Sequence, residues 1–336
     1  MSSKSNIRFQ FVVVTVGFIL LVMKFYAYWI TNSSTVLTDA LESIINIVAG
    51  SFGLYSLILS SLPKDKNHPY GHGRVEFISA AIEGGLVFFA GIAIVLQSIW
   101  SLLFDFKEIH KIDIGLIIVA FAGIVNYLIG YFTEKQGKKS GSLALIASAK
   151  HLKSDAYSTL ALIFGLVLIY ILNNVYKLDY WAYFIDNSVA ILFGIIILWS
   201  GYGILRESVA RIMDEVDYKL VDEIVLLLDS NKHENWIDVH NLRIIRYGSS
   251  LHIDCHLTVP WYFNTKEAHS EVDRLEELLK SKLERSTEVF VHVDPCIESS
   301  CVICDKLECP VRSHMYNGNK KWTSELIMNN KKHSLQ

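Results

Sequence analysis

The sequence predicts a polytopic α-helical membrane protein with six transmembrane helices, followed by a small α+β domain. Composition gives the first indication: 51% of the 336 residues are hydrophobic and only 19% are charged, whereas soluble domains carry about 25% charged residues. The mean hydropathy of +0.33 agrees with this. Pattern gives the second, because long apolar runs recur up to about residue 206 and short amphipathic segments follow them.

Six apolar runs have the length that a membrane-spanning helix needs, about 20 residues. They lie at 9–31, 35–62, 77–103, 112–132, 141–172 and 181–205. The first run is too long for the apolar core of a secretory signal and lacks a small-residue cleavage site, so we interpret it as a retained span. An even number of spans places both termini on one side of the lipid bilayer.

The charges of the loops predict which side that is. Eight Lys and Arg residues lie at the N-terminus and in the second-to-third and fourth-to-fifth loops, against three in the opposite loops. Positively charged loops stay in the cytoplasm. We therefore expect a multi-pass protein of the cell membrane, the inner membrane in a bacterium, with cytoplasmic N- and C-termini. The net charge of −3 argues against a nucleic-acid partner.

The region after the spans has an αββαβ pattern. Helices are expected at 217–230 and 264–285, and strands at 238–247, 250–259 and 288–294. Asn264 and Glu267 have the spacing of a capping box at the start of the second of these helices. The predicted division is a six-helix domain at 1–208, an αββαβ domain at 209–296 and a polar tail at 297–336. We expect cysteine to be the only organised feature of that tail.

Two predicted spans carry polar and ionisable side chains, which cost several kcal/mol in hydrocarbon and usually have a function. Glu42 and Asn46 in the second span, and His151 and Asp155 in the fifth, are i,i+4 pairs. Each pair therefore lies on one face of its helix. At about 1.5 Å per residue, the two pairs overlap in depth within one helical turn. Oxygen and nitrogen ligands from two adjacent helices suit a divalent ion.

A simpler explanation is that these groups pair with one another or with the intramembrane charges Lys24, Glu83 and Asp186. For a single polar residue, such pairing would explain the observation as well as a metal site does. Two matched pairs at one depth, one of them an imidazole beside a carboxylate, favour a metal site instead.

The loop between the second and third spans, LPKDKNHPYGHGRVE, offers a second ligand set. Asp65, His68 and His72 lie close in sequence, and Gly71 lets the backbone turn tightly around them. A solvated turn without a metal is the alternative for so short a pattern.

Histidines recur in the predicted αββαβ domain. They are His240, His252, His256, His269 and His292, accompanied by Asp294. Strand alternation places His256 opposite the apolar residues of its strand, and His292 shares a polar face with Asp294. A single histidine in a strand is usually structural, but this number favours metal binding.

Four of the five cysteines follow the last predicted strand closely. They are Cys296, Cys301, Cys304 and Cys309. An odd total and uneven placement do not suit a secreted disulfide framework. In a reducing cytoplasm, C-x4-C-x2-C-x4-C has the composition of a zinc or soft-metal site. The alternatives are that the first of them is simply buried and that the tail is inert.

Together these motifs closely resemble the cation diffusion facilitator family. They are GHG-R-x-E after an aspartate and a histidine, the polar pair of the second span, H-x3-D in the fifth, and an αββαβ domain with A-H and H-x-D-P. The similarity runs from about Phe9 to Cys296. It implies a homodimeric transporter, not an enzyme, with a ferredoxin-like, metallochaperone-like cytoplasmic domain. Such transporters generally export Zn²⁺ or a similar divalent ion in exchange for protons.

The resemblance also implies ligands. The transport site would comprise Glu42, Asn46, His151 and Asp155, the loop site Asp65, His68 and His72, and the cytoplasmic site His240, His256, His269, His292 and Asp294. Arg74 and Asp214 fall where the family places a salt bridge. The metal is expected to be a regulator as well as the substrate, because binding to the cytoplasmic site would tighten the dimer.

The polar pair of the second span departs from the family pattern. The family usually has Asp or His at these two positions, with Asp at the second, where this chain has Glu42 and Asn46. Glu42 has a longer reach, and the neutral carbonyl of Asn46 binds Zn²⁺ more weakly than a carboxylate. Zn²⁺ is the expected ion, with Fe²⁺, Mn²⁺, Co²⁺ and Cd²⁺ as alternatives, and Asp39 is a further candidate ligand. A rival function is a non-transporting metal sensor or partner subunit of a related transporter, in which the pair Glu42 and Asn46 would be degenerate.

Overall fold

A computed structural model of the chain describes residues 2–31, 34–104, 114–171, 179–248, 250–283, 286–318 and 321–332. These residues divide into two units, Met1–Met213 and Asp214–Gln336. Each unit has its own core.

The first unit consists of long helices at the six predicted apolar runs. They are α1 (Ser2–Thr31), α2 (Ser34–Ser60), α3 (Val75–Phe104), α4 (Ile114–Ser140), α5 (Leu143–Ile171) and α6 (Asp179–Ile212). Within the described residues, the stretches long and apolar enough to cross a membrane by composition are Lys4–Tyr26 and Val75–Phe104. Large apolar side chains such as Phe89, Trp100 and Trp199 face outward, as lipid contact requires.

Glycines allow α3 and α6 to pack backbone against backbone. A Cβ atom added at Gly91 would lie 2.6 Å from the backbone nitrogen of Leu198 in α6, and one added at Gly201 would lie even closer to the backbone nitrogen of Phe88 in α3. Close approach at small residues is the usual way in which helices associate in lipid, where the hydrophobic effect between helices is absent.

The second unit has the predicted αββαβ order. Its elements are α7 (Tyr218–Ser230), β1 (Asp238–Tyr247), β2 (Ser250–Val259), α8 (Thr265–Lys282) and β3 (Thr287–Pro295). The sheet order is β1-β2-β3, with β1 antiparallel and β3 parallel to β2. Asn264 and Glu267 form the predicted capping box. Leu275 and Leu279 of α8 pack with Ile253 of β2 in the core.

The boundary between the units differs from the prediction. We expected the first domain to end at residue 208, but α6 continues to Ile212 and the units meet between Met213 and Asp214. The helix continues beyond the apolar run, because an i,i+4 ion pair between Glu207 and Arg211 (3.7 Å) supports another helical turn in polar sequence.

The prediction of a tail organised only by cysteine is wrong. After β3 the chain forms a short 3₁₀ helix (Glu298–Val302) and a single helical turn, α9 (Ser324–Ile327). Trp322 and Ile327 are buried in the same core as α7 and the sheet. The backbone amide of Asn241 in β1 also donates to the carbonyl of Asn329 (2.8 Å). The segment 296–332 is therefore an integral part of the second unit.

Candidate metal sites

Three of the four side chains of the predicted transport site meet between α2 and α5. The amide nitrogen of Asn46 donates to Asp155 Oδ2 (2.5 Å), and the amide oxygen of Asn46 lies 2.7 Å from His151 Nε2. His151 Nε2 is 4.0 Å from Asp155 Oδ2, and both side chains are largely buried. The i,i+4 spacing on α5 thus aims an imidazole and a carboxylate at one residue of α2.

The remaining predicted ligands of this site lie outside the described side chains. Glu42 and Asp39 belong to α2, but only the backbone of these two residues is described. Two of the intramembrane charges that offered an alternative explanation have described contacts with serine. Lys24 Nζ donates to Ser43 Oγ (2.8 Å), and Glu83 Oε1 accepts from Ser148 Oγ (2.8 Å). The third, Asp186, lies outside the described side chains.

A second buried polar network, which the sequence did not reveal, lies close to this site along α5. Gln10 of α1 donates to Ser148 Oγ (3.0 Å) and to the carbonyl of Gly50 in α2 (3.0 Å). Glu83 is almost completely buried, and its Oε2 has no hydrogen-bond partner among the described residues. Ser148 is three residues before His151, so α5 connects this network to the predicted ligands His151 and Asp155.

The loop ligands also lie together. His68 Nδ1 is 3.1 Å and His72 Nε2 is 3.5 Å from the carboxylate of Asp65. Gly71 has a left-handed backbone (φ 86°), in a loop where a tight turn is predicted. The pKa of Asp65 is lowered, chiefly because the backbone N–H of His68 donates to the carboxylate. A deprotonated, half-exposed carboxylate between two imidazoles is accessible to an ion in solution.

In the sheet, His240, His256 and Asp294 form a compact group whose ligand atoms lie within 4.8 Å of one another. The two histidines are cross-strand partners in β1 and β2. Asp294 Oδ2 lies 3.0 Å from His256 Nδ1 and 3.4 Å from His240 Nε2. Burial would raise the pKa of Asp294, but hydrogen bonding to His256 and the ammonium of Lys332 together hold it below its usual value.

The other two residues predicted for this site are placed differently. His292 lies beside His256 in the sheet, with ring centroids 4.6 Å apart, and its Nε2 is 3.9 Å from Asp294. His269 lies on the exposed side of α8, where its described ion-pair contact is Asp273 (4.0 Å). Because α8 packs on the apolar face of the sheet, His269 is not part of the group within one chain, and its role as a ligand stays a prediction.

The predicted salt bridge is the remaining feature. Arg74 precedes α3 in the first unit, and Asp214 opens the second unit with a left-handed backbone (φ 54°). The two residues belong to different units, and their pairing stays a prediction.

The cysteines differ in their chemistry. Burial raises the pKa of Cys255 to about 12. Burial opposes ionisation of Cys301 too, but hydrogen bonds from Ser313 and His314 and the charge of Arg312 lower its pKa overall.

After chelation at neutral pH we expect iodoacetamide to alkylate Cys301 fastest and Cys255 slowest, because the thiolate is the nucleophile. Peptide mass spectrometry over time measures the order, with urea-unfolded protein as control; equal folded-state rates would contradict the expectation.

The fold and these groups define a class: a helical membrane protein that places carboxylate and imidazole clusters in its helical unit and in a small sheet. The model of the cation efflux transmembrane domain matches residues 10–213, and that of the cation efflux protein cytoplasmic domain matches residues 214–296. The chain therefore belongs to the cation diffusion facilitator family, whose members are membrane transporters of divalent metal cations and not enzymes.

Relatives in this family include proteins from several bacteria. An uncharacterised transporter of Synechocystis sp. is 26% identical over 85% of this chain and 89% of its own length. The manganese efflux system protein MneP of Bacillus subtilis is 26% identical over 83% of this chain and 93% of its own. The cation-efflux pump FieF of Pectobacterium atrosepticum is 24% identical over 83% and 89%, respectively.

Proposed function

We propose that the chain exports a divalent transition metal, with Zn²⁺ as the first candidate, from the cytoplasm in exchange for protons. The contact of Asn46 with His151 and Asp155 carries this proposal, because it joins a nitrogen and two oxygen ligands of adjacent helices at one point. Glu42, one turn before Asn46 on α2, is the fourth proposed ligand. Two carboxylates would neutralise a dication in a site of low dielectric constant.

The proposed arrangement is a six-span homodimer with both termini in the cytoplasm. The helices α1 to α6 have between 27 and 34 residues. At about 1.5 Å per residue each exceeds a hydrocarbon core of about 30 Å. The Lys and Arg count of the loops supports the orientation. The loop site and the sheet site would then face cytoplasmic metal, the first on the way to the transport site and the second as a regulator.

His151 is the proposed point of proton coupling. Its Nε2 lies 2.7 Å from the amide oxygen of Asn46, and because that oxygen can only accept, the contact is a hydrogen bond when Nε2 carries the proton. A metal ion bound at Nε2 must replace this proton, and a proton can return when the ion leaves. Metal and proton therefore compete for one nitrogen atom, as an antiporter requires.

Flux through the purified protein tests the function. Proteoliposomes with an acidic lumen should take up Zn²⁺, and an ionophore that collapses the pH gradient should abolish the uptake. Mn²⁺ is assayed in parallel, because Asn46 contributes an amide oxygen and the relative MneP is named for manganese. The absence of flux for both ions would favour the rival function, a sensor or partner subunit. A rate of metal uptake that does not depend on the pH gradient would reject proton antiport.

Residue 46 should control affinity. We expect Asn46→Asp to lower the KM for Zn²⁺ about tenfold, which is about 1.4 kcal/mol. The new carboxylate lies against Asp155, and a dication relieves the repulsion between the two. Asn46→Leu, of similar size without a carbonyl, should raise the KM by at least as much. Concentration-dependent uptake by the three proteins measures this. The same KM in all three would remove residue 46 from the coordination sphere.

A further inference from the structure

The segment that follows β3 contains a cysteine cluster that none of the three metal sites above includes. Cys296, Cys301, Cys304 and Cys309 form the pattern C-x4-C-x2-C-x4-C. Trp322 and Ile327 anchor the far end of this segment in the core. The cysteines therefore belong to folded structure and not to a free tail.

The four thiols share one neighbourhood. Cys304 is buried and packs with Ile303 against Ile237, with Cys296 beside them. The charges of Cys304, Cys301 and Cys309 all act on the thiol of Cys296 and, after burial, help to raise its pKa. Cys301, Cys304 and Cys309 therefore lie within electrostatic range of Cys296, and Cys304 and Cys296 belong to one packed cluster.

Tyr262 locates the same neighbourhood independently. This residue is in the turn after β2, and its hydroxyl oxygen is buried. Burial raises its pKa, and the next contributions come from Cys309, Cys304 and Cys296. The phenol therefore lies within electrostatic range of three of the four cysteines, although it is distant from them in sequence.

Polar groups lie close to the sulfur atoms. Cys301 Sγ lies 3.5 Å from the hydroxyl oxygen of Ser313, and the backbone N–H groups of Trp261 and Lys306 act to lower the pKa values of Cys296 and Cys304 against the effect of burial. Hydrogen bonds of this kind stabilise thiolate over thiol. They also belong to the outer shell that orients metal ligands and adjusts their basicity.

Arg312 fixes the loop that carries the central C-x2-C. Its guanidinium donates to the carbonyl oxygens of Cys301 (3.0 Å), Cys304 (3.0 Å) and Lys306 (2.7 Å). Three carbonyls held by one planar cation give this loop a defined shape. The same cation lowers the cost of gathering negative sulfur atoms beside it.

Two simpler explanations account for less. Packing explains the buried Cys304, but Cys301 and Cys309 are partly exposed. Disulfide bonding finds no support, since all five cysteines are free. Neither explanation accounts for the hydroxyl group beside Cys301 Sγ or for the guanidinium that holds the loop between Cys301 and Cys304.

We propose that Cys296, Cys301, Cys304 and Cys309 bind one thiophilic divalent ion, Zn²⁺ or Cd²⁺, in a resident tetrathiolate site. Binding replaces the thiol protons, which pass to solvent, and forms four metal–sulfur bonds without a redox change. No three of these sulfur atoms lie within 4.8 Å of one another in the described chain, so the ion must draw the partly exposed Cys301 and Cys309 inward. The site does not depend on the transport proposal.

Cobalt spectroscopy of the purified full-length protein tests this site. After removal of metal with a chelator, Co²⁺ should produce thiolate-to-cobalt charge-transfer absorption that saturates at one ion per chain, and added Zn²⁺ should bleach it. The carboxylate and imidazole sites contribute no such band. The double variant Cys301→Ser/Cys304→Ser should lose the band and one bound Zn²⁺ per chain by elemental analysis.

Matched variants separate the site from the other clusters. Cys255→Ala, at the cysteine in the core of the sheet, and the double variant His240→Ala/His256→Ala should both keep the band. Because the double cysteine variant could unfold the segment, the partly exposed Cys309→Ser is the second test, and it should weaken Co²⁺ binding at least tenfold. No charge-transfer band in the wild-type protein, or an unchanged band and affinity in Cys309→Ser, would overturn the proposal.

Discussion

His151→Ala and Asp155→Ala are each expected to reduce metal flux into proteoliposomes more than about 100-fold. Loss of an outer-shell partner alone typically costs about 10–100-fold, and we propose that these two residues contact the ion directly. Removing either also leaves a polar group buried without its partner, since Asn46 contacts both. Initial rates of Zn²⁺ uptake under an imposed pH gradient measure the effect.

Two further variants on the same helix make this result specific. Tyr157→Phe alters an exposed side chain two residues beyond Asp155, and it should transport at the wild-type rate. Asp155→Asn keeps the size of the side chain, so it should elute as a folded protein from a sizing column while losing flux. Flux above half the wild-type rate in both His151→Ala and Asp155→Ala would exclude this site as the transport site.

Much of the fold follows from local sequence. The apolar runs predict the helices of the first unit, since backbone groups in lipid must be paired within a helix. Alternation in β2 correctly places Ile253 and Leu257 in the core and His256 on the opposite face. Asn264 caps α8 as its spacing with Glu267 predicts.

The folded segment 296–332 could not be predicted in the same way. Trp322 stands alone among polar residues and Ile327 lies in a run of only three apolar residues, so neither a period of 3.6 nor one of 2 reveals that they are buried. The segment also brings Lys332 to Asp294, where Nζ lies 3.4 Å from Oδ1. A lysine near the end of the chain thus touches a proposed metal ligand, which no motif indicated.

Long-range polar contacts are a second feature that could not be predicted from the sequence. Gln10 and Ser148 are 138 residues apart, yet their hydrogen bond connects α1 to α5 beside the buried Glu83. The i,i+4 rule detects partners on one helix. It does not detect partners on different helices, because contacts between those residues depend on how the helices pack. The same rule identified His151 and Asp155 as a pair because both lie on α5.

The second large effect that we expect is a loss of stability in Gly201→Ala, which alters the packing of α6 against α3. The added methyl group would meet the backbone of α3, with its Cβ 2.7 Å from the Cα of Phe88 and 2.9 Å from the carbonyl carbon of Val87. Overpacking typically costs about 1–3 kcal/mol. The upper end applies here, because a backbone cannot rotate away as a side chain can, and the two helices must separate. We expect a lower midpoint of thermal unfolding in detergent, followed by tryptophan fluorescence, and reduced yield of monodisperse protein.

Gly203→Ala is the matched control, because it adds the same methyl group to the same helix two residues later. A Cβ atom there meets nothing within 4 Å. Replacing a glycine by alanine inside a helix gains up to about 1 kcal/mol when space allows, so this variant should unfold at the wild-type temperature or above it. The sign of the difference between the two variants isolates the contact of α6 with α3 from helix propensity. If both variants unfold at the same temperature, the close approach of Gly201 to Phe88 does not hold the first unit together.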